Sequence, residues 1–346
     1  MAPKIVSIYS GAGGIDLGFH KAGFEIVYAT DIWDIACKTL SLNFKNTEIE
    51  CESIENIDFA KIKNKYKNID GLVGGPPCPP FSKSRFYRTE KERGINDKNG
   101  HLTITNYFRA VKELEPTFFL FENVHGFIYK PHKSALDYLI KESDKLGYKI
   151  TYKVVNTANY GVPQTRERFI CIGVKKGYKK FVFPEETHSE KQKEYLNLKL
   201  WKTAGEVLSD IDFDLPEDVK MEAGSKHKDL LKLVPPGDNY LYFTKERGCP
   251  EPIFKWRSRY WSFLLKLSPN RPSWTIQASH SNNMGPFHWK NRFLRILEIK
   301  RLQTFDDDYI LAGTFRDEWR LVGNAVPPLM ANVLASQIKK LYFEND

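Results

Sequence analysis

The chain has 346 residues, 41% of them hydrophobic and 14% aromatic, which is room for one large α/β domain and a smaller second one with real cores. Its formal net charge of +9 points to a polyanionic partner, and no run approaches the roughly 18 apolar residues that a membrane span requires. Five scattered cysteines, odd in number and without a CxxC pair, argue against a disulfide framework or a thiolate zinc site.

A reducing compartment follows, and no metal is expected. Met1 to Lys4 lead straight into a strand-like segment rather than a signal peptide, so the sequence predicts a cytoplasmic protein.

Lys4 to Tyr9 reads as a buried strand, Ser10 to Gly14 as a glycine loop, and Ile15 to Ala22 as a helix ended by Gly23. A second strand, Glu25 to Ala29, stops at Asp31, and helical periodicity runs from Trp33 to Asn43. A short apolar strand, Asp70 to Val73, precedes Gly74-Gly75-Pro76-Pro77-Cys78-Pro79-Pro80. Then come a helix around Thr105 to Leu114, the strand Thr117 to Phe121, a helix near Ala135 to Leu146, and strands at Tyr148 to Val155 and Phe169 to Val174. Strands alternating with helices predict a doubly wound, mostly parallel α/β sheet covered on both faces.

The regularity fails after about Phe183. Acid-rich sequence from Ser209 to Pro216 gives way to a basic, tryptophan-rich stretch, where Lys245 to Arg292 holds nine Lys and Arg against Glu246 and Glu251. Helical pattern resumes at Ile296 to Gln303 and at Leu329 to Phe343. The predicted organisation is therefore a first domain over 1–183, an inserted domain over 184–290, and a return to the first domain over 291–346.

The glycine loop Ser10-Gly11-Ala12-Gly13-Gly14 follows the first strand and opens a helix, where doubly wound folds bind nucleotides. Position 16 is Asp16 where a dinucleotide fingerprint has its third glycine, and no Lys-Ser/Thr follows as in a P-loop. Asp31 is placed to accept hydrogen bonds from a ribose diol. Glycines and an acid without pyrophosphate machinery suit an adenosyl cofactor that carries no phosphate. Cys78 leaves its strand on a backbone stiffened by four prolines, and reads either as a nucleophile or as a buried structural thiol.

In order along the chain, these segments resemble the DNA (cytosine-5)-methyltransferases of prokaryotic restriction-modification type. Tyr9 to Phe19 resembles the family's first motif, Pro77-Cys78 its Pro-Cys, Glu122-Asn123-Val124 its Glu-Asn-Val, and Gln164-Thr165-Arg166-Glu167-Arg168 its Gln-x-Arg-x-Arg. Arg292 to Gln303 resembles the motif that closes the variable region, and Gly323 to Pro328 the last motif. Two departures stand out: Ser53 sits where an acid before Ile54 is frequent, and Arg295 where a threonine is common.

The resemblance implies S-adenosylmethionine as cofactor, held by Tyr9, Ser10, Gly11, Ala12, Gly13, Gly14, Asp31, Ile32, Ser53, Ile54, Pro77, Asn324, Ala325 and Val326. It implies that Cys78 attacks carbon 6 of cytosine, that Glu122 hydrogen-bonds ring N3 and the exocyclic amine, and that Arg166 and Arg168, alternating on one strand face, supply fixed cations, Arg168 orienting the base and Arg166 supporting the site less directly. The target is flipped from double-stranded DNA. The polar loop after Cys78, with Ser82, Arg85 and Arg88, is expected to close on that DNA, and the inserted domain to recognise it through Arg247, Lys255, Arg257, Arg259 and Arg271. Several of the aromatics interleaved with these arginines, Trp256, Tyr260, Trp261 and Trp274, are expected to build that domain's core. A monomer is expected, with a restriction endonuclease acting on the same site without a stable complex. The alternative substrate is tRNA, although the Cys-Phe-Thr element typical of that branch is absent.

Overall fold

A computed structural model describes residues 2–77, 98–192, 197–279 and 281–344. Five strands run parallel: β1 (Lys4–Ile8), β2 (Glu25–Asp31), β3 (Glu48–Cys51), β4 (Gly71–Gly74) and β5 (Phe118–Val124). Two long strands, β6 (Tyr148–Asn156) and β8 (Glu167–Lys175), complete the sheet antiparallel to their neighbours, with the short β7 (Gln164–Thr165) just before β8. The order is β3-β2-β1-β4-β5-β8-β6. The winding reverses between β1 and β4, the crevice at which open α/β sheets bind ligands.

Period-two alternation decides which residue faces which layer. Phe118 and Leu120 of β5 enter one hydrophobic cluster, Phe119 and Phe121 the other. The first layer is packed by α1 (Gly14–Lys21), α2 (Asp34–Asn43) and the returning helices α8 (Ile296–Leu302), α9 (Phe315–Asn324) and α10 (Pro328–Tyr342). The second is packed by α3 (Phe59–Tyr66), α4 (Lys98–Leu114) and α5 (Lys133–Lys145).

β3, α3 and α9 escape the sequence reading. β3 is an edge strand whose Glu48 and Glu50 leave no apolar run. α3 and α9 carry start signals instead: Asp58 accepts from the Lys61 N–H at 2.9 Å, and Thr314 and Asp317 form a reciprocal capping box.

α1 and α10 pack closely because Gly18 has no side chain. A Cβ there would stand 2.4 Å from Ala331 Cβ and 2.6 Å from both Asn332 N and Pro328 O. Gly18→Ala gains helix propensity of at most about 1 kcal/mol, but overpacking should cost about 1–3 kcal/mol, so denaturant unfolding is expected to register a net loss of stability.

Between β8 and α8 the chain is largely irregular. It includes β9 (His188–Ser189) paired with β10 (Lys199–Leu200), α6 (Ala204–Leu208), α7 (Lys228–Leu233) and β11 (Ser273–Trp274), which pairs with β7. A third cluster holds Leu231, Val234, Tyr240, Phe243, Phe263, Leu264 and Phe287. This corrects the expectation about aromatics: Trp256, Tyr260 and Trp261 are 40%, 63% and 52% exposed, while Tyr240, Phe254 and Phe263 pack edge to face. Phenylalanine suits a small core better than tryptophan, since it carries no N–H that needs a partner.

The acidic segment after α6 anchors α8. Asp210 pairs with Arg301, Asp212 and Asp214 with Lys290, and Asp218 with Arg292 and Arg295. Arg295 thus has a structural partner in Asp218, while Glu298 caps its backbone N–H at 2.8 Å and binds Arg292 through both oxygens at 2.9 and 2.7 Å.

Candidate active site

The carboxyl ends of the five parallel strands present a row of functional segments. Ser53 and Ile54 follow β3, Asp31 and Ile32 end β2, the glycine loop follows β1, Pro77 follows β4, and Glu122 lies near the end of β5. Parallel register accounts for the row, since every strand delivers its exit to the same edge.

The glycine loop is shaped by backbone strain and by its neighbours. Tyr9, Gly11 and Gly13 all have positive φ, at 55°, 54° and 77°; glycine meets that demand at two of the positions. Gly11 N–H donates to Asp31 Oδ2 at 2.8 Å and Trp33 N–H to Asp31 Oδ1 at 3.0 Å. Burial nevertheless raises the Asp31 pKa, the backbone donors pulling it back. Gly14 abuts the last motif: a Cβ there would lie 2.2 Å from Val326 O and 3.2 Å from Ala325 Cβ. Tyr309 closes the loop from below, its hydroxyl donating to Ala12 O at 2.6 Å.

Around that loop the surfaces differ in character. At Gly11 a Cβ would meet nothing within 4 Å, so the loop faces open space. Ile32, 73% exposed, offers an apolar side chain beside Asp31, and Asn324 is exposed while Ala325 and Val326 are buried. At Ser53 the neighbouring Glu52 turns inward on its own loop, accepting from Ser53 N–H at 2.6 Å and Asn56 Nδ2 at 3.0 Å.

Glu122 is 5% exposed. Arg168 Nε holds its Oε1 at 2.9 Å, while Oε2 faces Gly75, where a Cβ would lie 2.6 Å away. Burial raises the Glu122 pKa, outweighing the downward pull of Arg168 and Arg166. The register pairs Gly74 with Phe121, so the residues after β4 run beside Glu122 and Asn123. Asn123 Nδ2 donates to Pro76 O at 3.2 Å and fixes the approach to Pro77. Cys78 itself, with Ser82, Arg85 and Arg88 and most of the polar loop, lies outside the described residues.

The two arginines act differently. Arg168 meets Glu122 directly. Arg166 sits between β7 and β8, almost fully buried, and donates to Ile276 O at 3.0 Å and Gly323 O at 2.8 Å. It joins the site floor to the last motif.

Gln164 does comparable work and was absent from the sequence-based site. Its Nε2 reaches Gln303 Oε1 at 3.0 Å, its Oε1 accepts from Ile276 N–H at 3.1 Å, and Gln303 continues to Val322 O at 2.7 Å. The signal was its place two residues before Arg166.

Of the basic residues assigned to DNA, Lys255, Arg257, Arg259 and Arg271 are exposed. Arg257 lies 5.8 Å from the Trp256 ring. Arg247 pairs with Asp238 at 2.6 Å, which engages one of its nitrogens. Among the described residues no helix is long and apolar enough to cross a membrane.

Comparison with known proteins places these features. A family model described as C-5 cytosine-specific DNA methylase matches residues 3–340. The Type II methyltransferase M.SacI of Streptomyces achromogenes is 38% identical over 360 residues, covering 95% of this chain and 91% of that protein. The Type II methyltransferase M.NgoFVII of Neisseria gonorrhoeae is 32% identical, covering 99% and 88%. In fold, the S. pombe Dnmt2 methyltransferase superposes with a TM-score of 0.66 at 17% identity, over 99% of this chain and all of that one.

Proposed function

The chain belongs to the C-5 cytosine-specific DNA methylases, and from that premise we propose that it methylates carbon 5 of a flipped cytosine in a specific duplex sequence through a covalent bond to Cys78. The observation that carries the reading is the buried Glu122, held by Arg168 beside the segment that leads into Cys78.

Carbon 5 of cytosine is a weak nucleophile until a thiolate adds to carbon 6. That addition forms the S–C6 bond and moves an electron pair toward ring N3 and carbon 5. Glu122 relieves the charge at N3. Arg168 occupies Oε1, so Oε2 is the atom free to carry the proton toward the base, and Gly75 leaves it room. The raised pKa keeps that carboxyl protonated more readily than an exposed glutamate. Arg168 orients Glu122 and the base, and Arg166 supports the floor. Carbon 5 then takes the methyl group as the sulfonium's S–CH3 bond breaks, water accepts the carbon 5 proton, and elimination of the Cys78 thiolate with return of the N3 proton to Glu122 restores the aromatic ring.

S-adenosylmethionine supplies the electrophilic methyl group. The residues present fit it: the open face at Gly11, Asp31 for the ribose, and Ile32 for the adenine, with no phosphate-binding lysine in the loop. Ser53, Ile54, Pro77 and Asn324 to Val326 line the same edge.

The segment 184–290 acts as the target-recognition domain, with Lys255, Arg257, Arg259 and Arg271 toward DNA and the exposed Trp256, Tyr260 and Trp261 beside them. Curated relatives that are Type II methyltransferases support a restriction-modification role: a cytoplasmic, monomeric enzyme that protects host DNA from an endonuclease of the same specificity.

Incubation with labelled cofactor and either duplex DNA or bulk tRNA tests this. Methyl incorporation into DNA at one short sequence, found by base-resolution sequencing, is expected. Incorporation into tRNA alone would sink the assignment.

A further inference from the structure

Asp16 stands in the first turn of α1 and is fully buried. Among the described residues neither of its carboxylate oxygens has a hydrogen-bond partner, and no Lys, Arg or His pairs with it. An isolated buried carboxylate is costly, and such groups are retained where something else depends on them. Burial pushes its pKa up to about 6. Ser7 of β1, whose Oγ also lies 2.8 Å from Ser10 Oγ, and the backbone N–H of Asp16 itself pull it partly back, and the Asp31 carboxylate of β2 pushes it further up. Burial raises the pKa of Tyr309, with the nearby Asp16 adding to it, and the Tyr309 hydroxyl holds Ala12 O of the glycine loop at 2.6 Å, so Asp16 is buried close to that loop.

The methionyl end of the cofactor is a zwitterion and needs both signs of complement. The N-terminus of α1 with its loop amides suits the carboxylate. The α-ammonium, one carbon away, donates hydrogen bonds that a nearby carboxylate accepts most strongly. Asp31 already accepts from the Gly11 and Trp33 N–H groups and is assigned to the ribose; among the described residues neither Asp16 oxygen has a partner at hydrogen-bond distance.

Resting on the cofactor reading above, we propose that Asp16 is a cofactor-recognition residue whose ionised carboxylate is the counter-charge for the α-ammonium group of S-adenosylmethionine. The ammonium completes an ion pair that the protein alone leaves open. The unsatisfied acid is then a stability cost retained for binding.

Calorimetric titration of full-length protein with S-adenosylmethionine, and with a sulfonium analogue lacking only the α-amino group, tests this in the wild type, Asp16→Asn and Asp16→Ser. Both substitutions are expected to weaken S-adenosylmethionine about 10- to 100-fold while changing the analogue by no more than about twofold. Pairing lowers the carboxyl pKa, so wild-type affinity should be full above pH about 6 and fall below it. It should fall again as the ammonium deprotonates near pH 8, and the acid limb should vanish in Asp16→Asn. The unliganded Asn variant should melt no lower than wild type.

Equal weakening of both ligands, unchanged affinity for S-adenosylmethionine, or a large fall in melting temperature would each overturn the assignment. Wild-type protein that binds neither ligand would overturn the cofactor reading itself.

Discussion

Cys78→Ala is expected to abolish methyl transfer, lowering kcat at least about 10⁴-fold, as removal of a catalytic nucleophile does. Duplex binding should persist. Single-turnover methylation measures the loss, and a 5-fluorocytosine duplex supplies the direct readout: fluorine at carbon 5 blocks proton loss and traps the adduct, seen as a shifted band on a denaturing gel. That band should be present with wild type and absent with Cys78→Ala.

The other four cysteines make poor substitutes. Cys37 and Cys171 are buried, with thiol pKa values raised by that burial. Cys249 Sγ donates to Glu251 O at 3.3 Å in the inserted segment, and Cys51 ends the edge strand β3. An adduct that survives Cys78→Ala would assign the nucleophile wrongly.

The second large effect concerns the proton. Glu122→Gln keeps the shape and the acceptor for Arg168 but cannot transfer a proton, and should lower kcat by about 10²- to 10⁴-fold with little change in cofactor affinity. The sign of the pH dependence follows from the raised pKa. In the proposed mechanism the active form of Glu122 is protonated, so the wild-type rate should decline as pH rises through the pKa of Glu122, and the Gln variant should lack that limb. A Gln variant with unchanged kcat would remove Glu122 from the chemistry. A cofactor affinity that falls in parallel would point instead to a displaced β4–β5 edge.

Much of this arrangement was legible in the chain. Short apolar runs separated by glycine loops and amphipathic segments indicate a doubly wound sheet, because buried parallel strands must be apolar on both faces while their covering helices need only one. Glycine and proline punctuation located the loop after β1 and the segment around Cys78, since both residue types act through local backbone geometry. β3 was not visible, because an edge strand with glutamates at 48 and 50 lacks the hydrophobic signal. The less direct role of Arg166 was expected from the sequence, but its partners were equally hidden. Spacing of two says only that both leave the same side of an ideal strand, and the break between β7 and β8 at residue 166 sends its guanidinium to Ile276 and Gly323 instead.

By itself the sequence carried the family resemblance, the sheet class and the order of the motifs, all of which are written in local residue type and spacing. Only the tertiary structure decided which oxygen of Glu122 meets Arg168, how Asn123 fixes Pro76, that Trp256, Tyr260 and Trp261 lie at the surface, and that Asp16 is buried with no hydrogen-bond partner among the described residues. Those are properties of pairs far apart in the chain. Burial and hydrogen-bond satisfaction depend on which distant segments fold together, and no local pattern records them.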